Sequence, residues 1–210
     1  MRVSICSNDF LIQSERKRMA CHEVFANTDH VLMGSNEKSA IFESDDVRVA
    51  FIVAETDQDN GVSVEQMEAR NSYICRAIKE ICAAKAQNDF VIVSYPCGTT
   101  MEIYQPARIR QICRTMVKSG ADVVLCRIGG GIGSYELYRS ANILYGYDGQ
   151  KSKKDLGKEE TGVIVHLDIS DVIELQFVPV RVTESQIVPV KGKERQKCLE
   201  QLVANSEKMK

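Results

Sequence analysis

Neither sign of charge dominates this chain: Lys plus Arg number 27 and Asp plus Glu 29, a net charge of −2. That balance excludes a globally basic nucleic-acid binder with a wide phosphate-neutralising face, so no nucleic-acid partner is expected. A long apolar run is also missing. No stretch approaches the roughly 18 consecutive residues of a membrane helix, and no membrane segment is expected. The start, Met1-Arg2-Val3-Ser4-Ile5-Cys6, lacks the apolar core and cleavage site of a signal peptide. Histidine is scarce. His22, His30 and His166 show no i, i+4 pair, which argues against a zinc or di-metal site built on them. The eight cysteines, Cys6, Cys21, Cys75, Cys82, Cys97, Cys113, Cys126 and Cys198, never form C-x-x-C, so a zinc knuckle or redox dithiol is excluded. Scattered among apolar neighbours, they read as small buried hydrophobes in a reducing compartment, and the expected location is the cytoplasm. The chain shows no internal repeat and no low-complexity tract.

What is present fits an ordinary globular protein, with 44% hydrophobic and 27% charged residues. The 210 residues are expected to form one domain, 1–210, burying roughly 70% of the unfolded surface. Val47 to Ala54 is β-branched and apolar enough for a buried strand. After a polar loop, Ser63 and Gln66 form a candidate capping box, and Met67, Ile74, Ala77, Ile78, Ile81 and Cys82 recur at helical spacing. Phe90 to Ser94 is the next strand. Pro106 suits the first turn of a helix with the stripe Ile109, Ile112, Cys113, Met116 and Val117, and Gly120 stands just past its end. Ala121 to Cys126 is a third strand. Strand, helix, strand, helix, strand implies a parallel βαβαβ core. Beyond the charged stretch Gln150 to Glu160, read as a solvated loop, Gly162 to Asp168 and Val172 to Val182 predict an antiparallel hairpin. Pro179 and Pro189 place the ends of that region at a sheet edge. Glu194 to Lys208 predicts an amphipathic helix carrying Cys198, Leu199, Leu202 and Val203.

In open α/β sheets, ligands gather at the carboxyl ends of parallel strands. Ser94 to Thr100 there offers the Cys97 thiol beside Gly98. Arg127 followed by Gly129, Gly130, Gly131 and Gly133 offers a loop whose backbone N–H groups could approach an anion. It is not a Walker A loop, because no Gly-Lys-Ser/Thr follows. Cys97 has no activating base nearby in sequence. The acidic candidates are Asp9, Asp57, Asp59 and Glu136.

Several of these segments resemble the CapA-type poly-γ-glutamate capsule synthesis protein family, whose domain looks like a calcineurin-like metallophosphatase. Val47 to Ala54 is similar to the family's central strand, and Asp89 to Ser94 followed by Gly98 resembles its V-S-x-H-W-G segment. Gly120 to Leu125 resembles G-A-D-x-V-I, which in the family leads into G-H-x-P-H. Glu136-Leu137-Tyr138 and Asn142 to Gly146 resemble E-x-Y…I-x-Y-S-L-G-N-F. Ile5 to Asp9 is similar to A-N-N-H, and Phe177 to Val180 to the closing strand. The resemblance implies an α/β fold: a partial metallophosphatase-type sandwich with a parallel core, a C-terminal antiparallel hairpin and a helix.

The departures from the family pattern bear on function. Asp9 stands for the histidine of A-N-N-H, Pro96 and Cys97 for H-W, and Ile128-Gly129-Gly130 for H-P-H. The family's N-terminal strands, with a metal-binding aspartate, have no counterpart. A phosphoesterase centre needs several converging His and carboxylate ligands, so no metal and no cofactor is expected. The expected function is a degenerate, non-catalytic member with a binding or assembly role in making poly-γ-glutamate or another envelope polymer. Cys97, Gly98, Arg127, Gly129, Gly130, Gly131 and Gly133 are its candidate ligand-binding residues, for an anionic or polymer ligand. One alternative is a residual phosphoesterase using Asn8, Asp9 and Glu136. Another is a small α/β domain binding a phosphorylated ligand through the Gly-rich loop. Half a sandwich would expose a core face and a strand edge, so a second copy or a partner chain is expected to complete the fold.

Overall fold

A computed structural model describes residues 2–4, 39–44, 46–54, 64–96, 106–127, 133–146, 160–182 and 187–208. The predicted core is present. Strands β3 (Val47–Val53), β4 (Phe90–Pro96) and β5 (Val123–Arg127) pair in parallel, joined through helices α1 (Val64–Lys85) and α2 (Pro106–Lys118). Val91, Ile92 and Val93 are all fully buried, because this sheet is covered on both faces and its strands need no polar alternation. Ala50, Val91, Val93, Val124 and Cys126 meet Ala77 and Ile81 of α1 and Cys113 and Met116 of α2. Val49, Phe51, Ile92 and Leu125 point the other way.

Three more strands extend this sheet. The segments beyond the Gly-rich stretch form a hairpin of β6 (Ser134–Tyr138) and β7 (Ala141–Tyr145), with β7 parallel to β5 and β6 at the edge. Its turn residues, Arg139 and Ser140, both have positive φ, 51° and 67°, as a two-residue turn matching strand twist requires. At the opposite edge β2 (Ser39–Ser44) runs antiparallel to β3. The order is β2-β3-β4-β5-β7-β6.

The C-terminal hairpin is also as expected: β8 (Glu160–Ile169) pairs antiparallel with β9 (Ile173–Val182). Short strands flank it, β1 (Arg2–Ser4) on β8 and β10 (Ile187–Pro189) on β9. Val165, Leu167 and Ile169 of this second sheet pack on Val49, Phe51, Ile92 and Leu144 of the first. The face that half a sandwich would leave bare is therefore covered by the chain's own second sheet. Pro189 lies on an edge strand as expected, but Pro179 lies inside β9 between two neighbours. It is tolerated because its carbonyl, which accepts the Val190 N–H at 3.0 Å, faces the side where β10 has ended. Its missing N–H points to that same side, so little of the ladder is lost.

Helix α3 (Gly192–Glu207) closes the chain and buries Cys198 and Leu202. Val203, predicted for the apolar stripe, is exposed. Cysteine burial is likewise divided. Cys113, Cys126 and Cys198 are buried as expected, whereas Cys75 and Cys82 are exposed, seven residues apart on the outer face of α1. Cys82 lies about 100° around the helix from the buried Ile81, enough to turn it to water.

The amino ends of the parallel strands are tied by polar groups. Asp122 accepts the Val91 N–H at 2.7 Å and pairs with Lys85 at 3.0 Å. The Lys85 ammonium also donates to the Asp89 carbonyl, and the Asp89 carboxylate takes the Arg48 N–H at 2.7 Å. Gly120 has φ +117°, and a Cβ there would lie 2.8 Å from Lys85 Cβ. Gly120-Ala121-Asp122 thus has a structural purpose: a left-handed helix stop, a buried small residue and a carboxylate that joins β4, β5 and α1.

Candidate functional site

The carboxyl ends of β3, β4, β5 and β7 form the edge where an open α/β sheet takes its ligand. Ala54, Tyr95, Cys126 and Tyr145 are buried along it, and the ladder reaches the rim through Ala54 N–H to the Ser94 carbonyl at 2.9 Å and Gly146 N–H to the Cys126 carbonyl at 3.0 Å. Pro96 and Arg127 are register partners at the ends of β4 and β5. The described ends of β4 and β5 therefore lie side by side at this rim, about 4.8 Å apart. Asn8, Asp9, Cys97, Gly98, Gly129, Gly130 and Gly131 themselves lie outside the described residues, as do Asp57, Asp59, the capping candidate Ser63 and the charged stretch before β8.

Gly133 stands at the rim where β6 begins. A Cβ on it would lie 1.9 Å from the Tyr145 carbonyl oxygen, a distance no side chain tolerates. Close approach of two backbones is thus sufficient reason for glycine there. On its other side the Gly133 carbonyl accepts from Asn205 Nδ2 at 3.2 Å.

Glu136 lies further in, level with Ile143 on the helix-covered face of the sheet. Its carboxylate is held by two partners. Oε1 accepts from Arg114 Nε at 2.8 Å and from Arg114 Nη2, and Oε2 accepts from the Tyr145 hydroxyl at 2.8 Å. The Arg114 guanidinium also lies 4.9 Å from the centre of the Tyr138 ring. The hydrogen bond to Glu136 raises the Arg114 pKa against a smaller opposing effect of burial. Burial, reinforced by Cys113 and the Glu136 bond, pushes the Tyr145 phenol far above its usual range. With both oxygens engaged, Glu136 ties α2 to the β6–β7 hairpin and has little free capacity as a base or a ligand. Reading from sequence singled out Glu136 but missed Arg114 and Tyr145, since nothing in their spacing links a helix to a hairpin 22 residues away.

Residues 13–147, more than half of the chain, match the family described as bacterial capsule synthesis protein PGA_cap. The matched span starts after Asn8 and Asp9 and ends before the second sheet's main hairpin. Among solved structures, the chain is similar to a hypothetical protein from Thermus thermophilus. The TM-score is 0.45 at 8% identity, over 73% of this chain and 63% of that one, so less than two thirds of that protein's length is spanned. It is also similar to zinc-complexed Vps29 from Entamoeba histolytica, with TM-score 0.32 and 7% identity over 85% of this chain and 76% of that one. No curated protein sequence matches the chain.

A metal centre of the kind the sequence resemblance implies needs converging His and carboxylate ligands; among the described residues no three His, Cys, Asp or Glu side chains come together, while Asn8, Asp9, Asp57 and Asp59 lie outside them. The positions that resemble the family's histidine motifs carry Pro96, Ile128, Gly129 and Gly130, whose side chains have no ligand atom. Glu136 is committed to Arg114 and Tyr145.

Proposed function

The chain belongs to the bacterial capsule synthesis protein family, which implies a role related to capsule synthesis, and on that premise we propose that it binds or assembles the polymer and does not hydrolyse phosphoesters. The ligand is an anionic polymer of the poly-γ-glutamate kind, held at the carboxyl edge of the parallel strands with Arg127 and the glycine-rich segment as its contacts. One observation carries this reading: the Glu136 carboxylate, a candidate for catalysis, has both oxygens occupied by Arg114 and Tyr145. The exposed thiols Cys75 and Cys82 support action in a reducing compartment, the cytoplasm. Association with a second copy belongs to the same proposal; the exposed Ile41 on edge strand β2 supports it, and light scattering tests it.

The test is a binding titration with poly-γ-glutamate run beside a phosphodiesterase assay in Mn²⁺. The proposal expects salt-sensitive binding that weakens in Arg127→Ala, with no hydrolysis above the buffer blank. A Mn²⁺-dependent rate that disappears in Asp9→Ala contradicts it and restores the phosphoesterase reading.

A further inference from the structure

We propose that Asn205 and Ser206, on the last turn of α3, are positioning residues for the carboxyl-edge site: they fix the backbone where β6 begins and so hold one wall of that site. The inference rests on the reading of this edge as the ligand-binding one. It extends that reading to residues far outside the matched span 13–147.

Two hydrogen bonds join the helix end to the sheet rim. Asn205 Nδ2 donates to the Gly133 carbonyl at 3.2 Å, and the Tyr135 N–H donates to Ser206 Oγ at 2.8 Å. The Ser206 hydroxyl in turn donates to the Leu202 carbonyl at 2.6 Å, so its proton is committed inside the helix and a lone pair faces Tyr135. β6 is the edge strand here, and the Tyr135 N–H points away from β7 toward α3. On the opposite side Gly133 is pressed against the Tyr145 carbonyl. The chain is thus gripped from both sides as it enters β6. The helix is held in turn by the buried Cys198 and Leu202 and by the Arg181–Glu194 ion pair to β9. A wall held this way is ordered before a ligand arrives, which lowers the ordering cost of binding.

The experiment compares Ser206→Ala, Asn205→Ala, Ser206→Thr and the exposed-face control Val203→Ala in the full chain. It reads amide exchange at Tyr135, affinity for poly-γ-glutamate and thermal midpoint. Alanine is a good helix former, so α3 should persist in both alanine variants. We expect about fivefold faster exchange at Tyr135 and about fivefold weaker binding in Ser206→Ala, the scale of one lost hydrogen bond. Asn205→Ala should weaken binding similarly, Ser206→Thr should restore both readouts, and thermal midpoints should fall by only about 2–4 °C, so that the fold persists in every variant. Unchanged exchange in Ser206→Ala, or faster exchange with undiminished binding, overturns the positioning role. A wild type that binds none of the polymer instead overturns the functional reading beneath it, whatever the exchange data show.

Discussion

The two ends of the six-stranded sheet use polar side chains for different purposes. At the amino end Asp122, Lys85 and Asp89 bind backbone groups and each other, and join β3, β4, β5 and α1. Toward the carboxyl end, Glu136, Arg114 and Tyr145 satisfy one another across α2, β6 and β7, and the rim at Gly133 is backbone packed on backbone. Gly120-Ala121-Asp122, which resembles the G-A-D of the family pattern, lies at the amino end and serves the fold. Of the positions read from sequence as standing for the family's histidines, Pro96 ends β4 at the carboxyl edge and its side chain has no ligand atom. The segment that resembles the family's G-A-D pattern thus serves the fold at one end of the sheet, and the proposed ligand contacts stand at the other.

Substitutions can break this contrast in order of size. Gly133→Ala should be the most damaging, because its Cβ would have to displace the Tyr145 backbone. A loss of about 3 kcal/mol in urea unfolding is expected, with β6 and β7 losing exchange protection first. A loss below about 0.5 kcal/mol would mean that the two backbones are not in contact.

Glu136→Ala should come next, at about 1–2 kcal/mol. It leaves the Tyr145 hydroxyl without its acceptor, while the partly exposed Arg114 keeps some solvent. A double-mutant cycle with Arg114→Ala should give coupling of about 1 kcal/mol, and additive losses would show that the pair is not a unit.

At the amino end, Asp122→Ala should cost about 1 kcal/mol by freeing the Val91 N–H and the Lys85 ammonium, without changing polymer binding. Binding that fell with it would erase the division between the two ends.

The smallest effect is one of pH. The folded Tyr145 pKa lies above its unfolded value of about 10, so the folded state keeps a proton that the unfolded state releases. That contribution is fully present below about pH 10 and is lost progressively above it. Alkaline unfolding should therefore be steeper for the wild type than for Tyr145→Phe. Equal slopes would place Tyr145 in water.

How much of this was legible depends on how local each signal is. The runs Val47 to Val53 and Phe90 to Ser94, with the stripe around Cys113 and Met116, carry their own period, so the parallel core and its helices could be read directly. The C-terminal hairpin was equally plain. The β6–β7 hairpin was not, because Arg139-Ser140 lacks the Asn-Gly or Asp-Gly signature of its turn. Strands of three residues such as β1 and β10 carry too little pattern to detect. In the candidate site the glycines were visible, but the reason for Gly133 was not, since it is a contact with Tyr145 made only when the sheet forms. Glu136 looked like spare acid for the same reason. Its partners are brought to it by tertiary packing, which no spacing in the chain announces.

The proposed non-catalytic role stands or falls on metal binding, which calorimetric titration of the purified chain with Mn²⁺, with elemental analysis, measures. No stoichiometric heat and no bound manganese are expected, in the wild type and in Asp9→Ala alike. One or two tightly bound ions per chain that vanish in Asp9→Ala would overturn that role, because residues around Asp9 would then hold a metal centre.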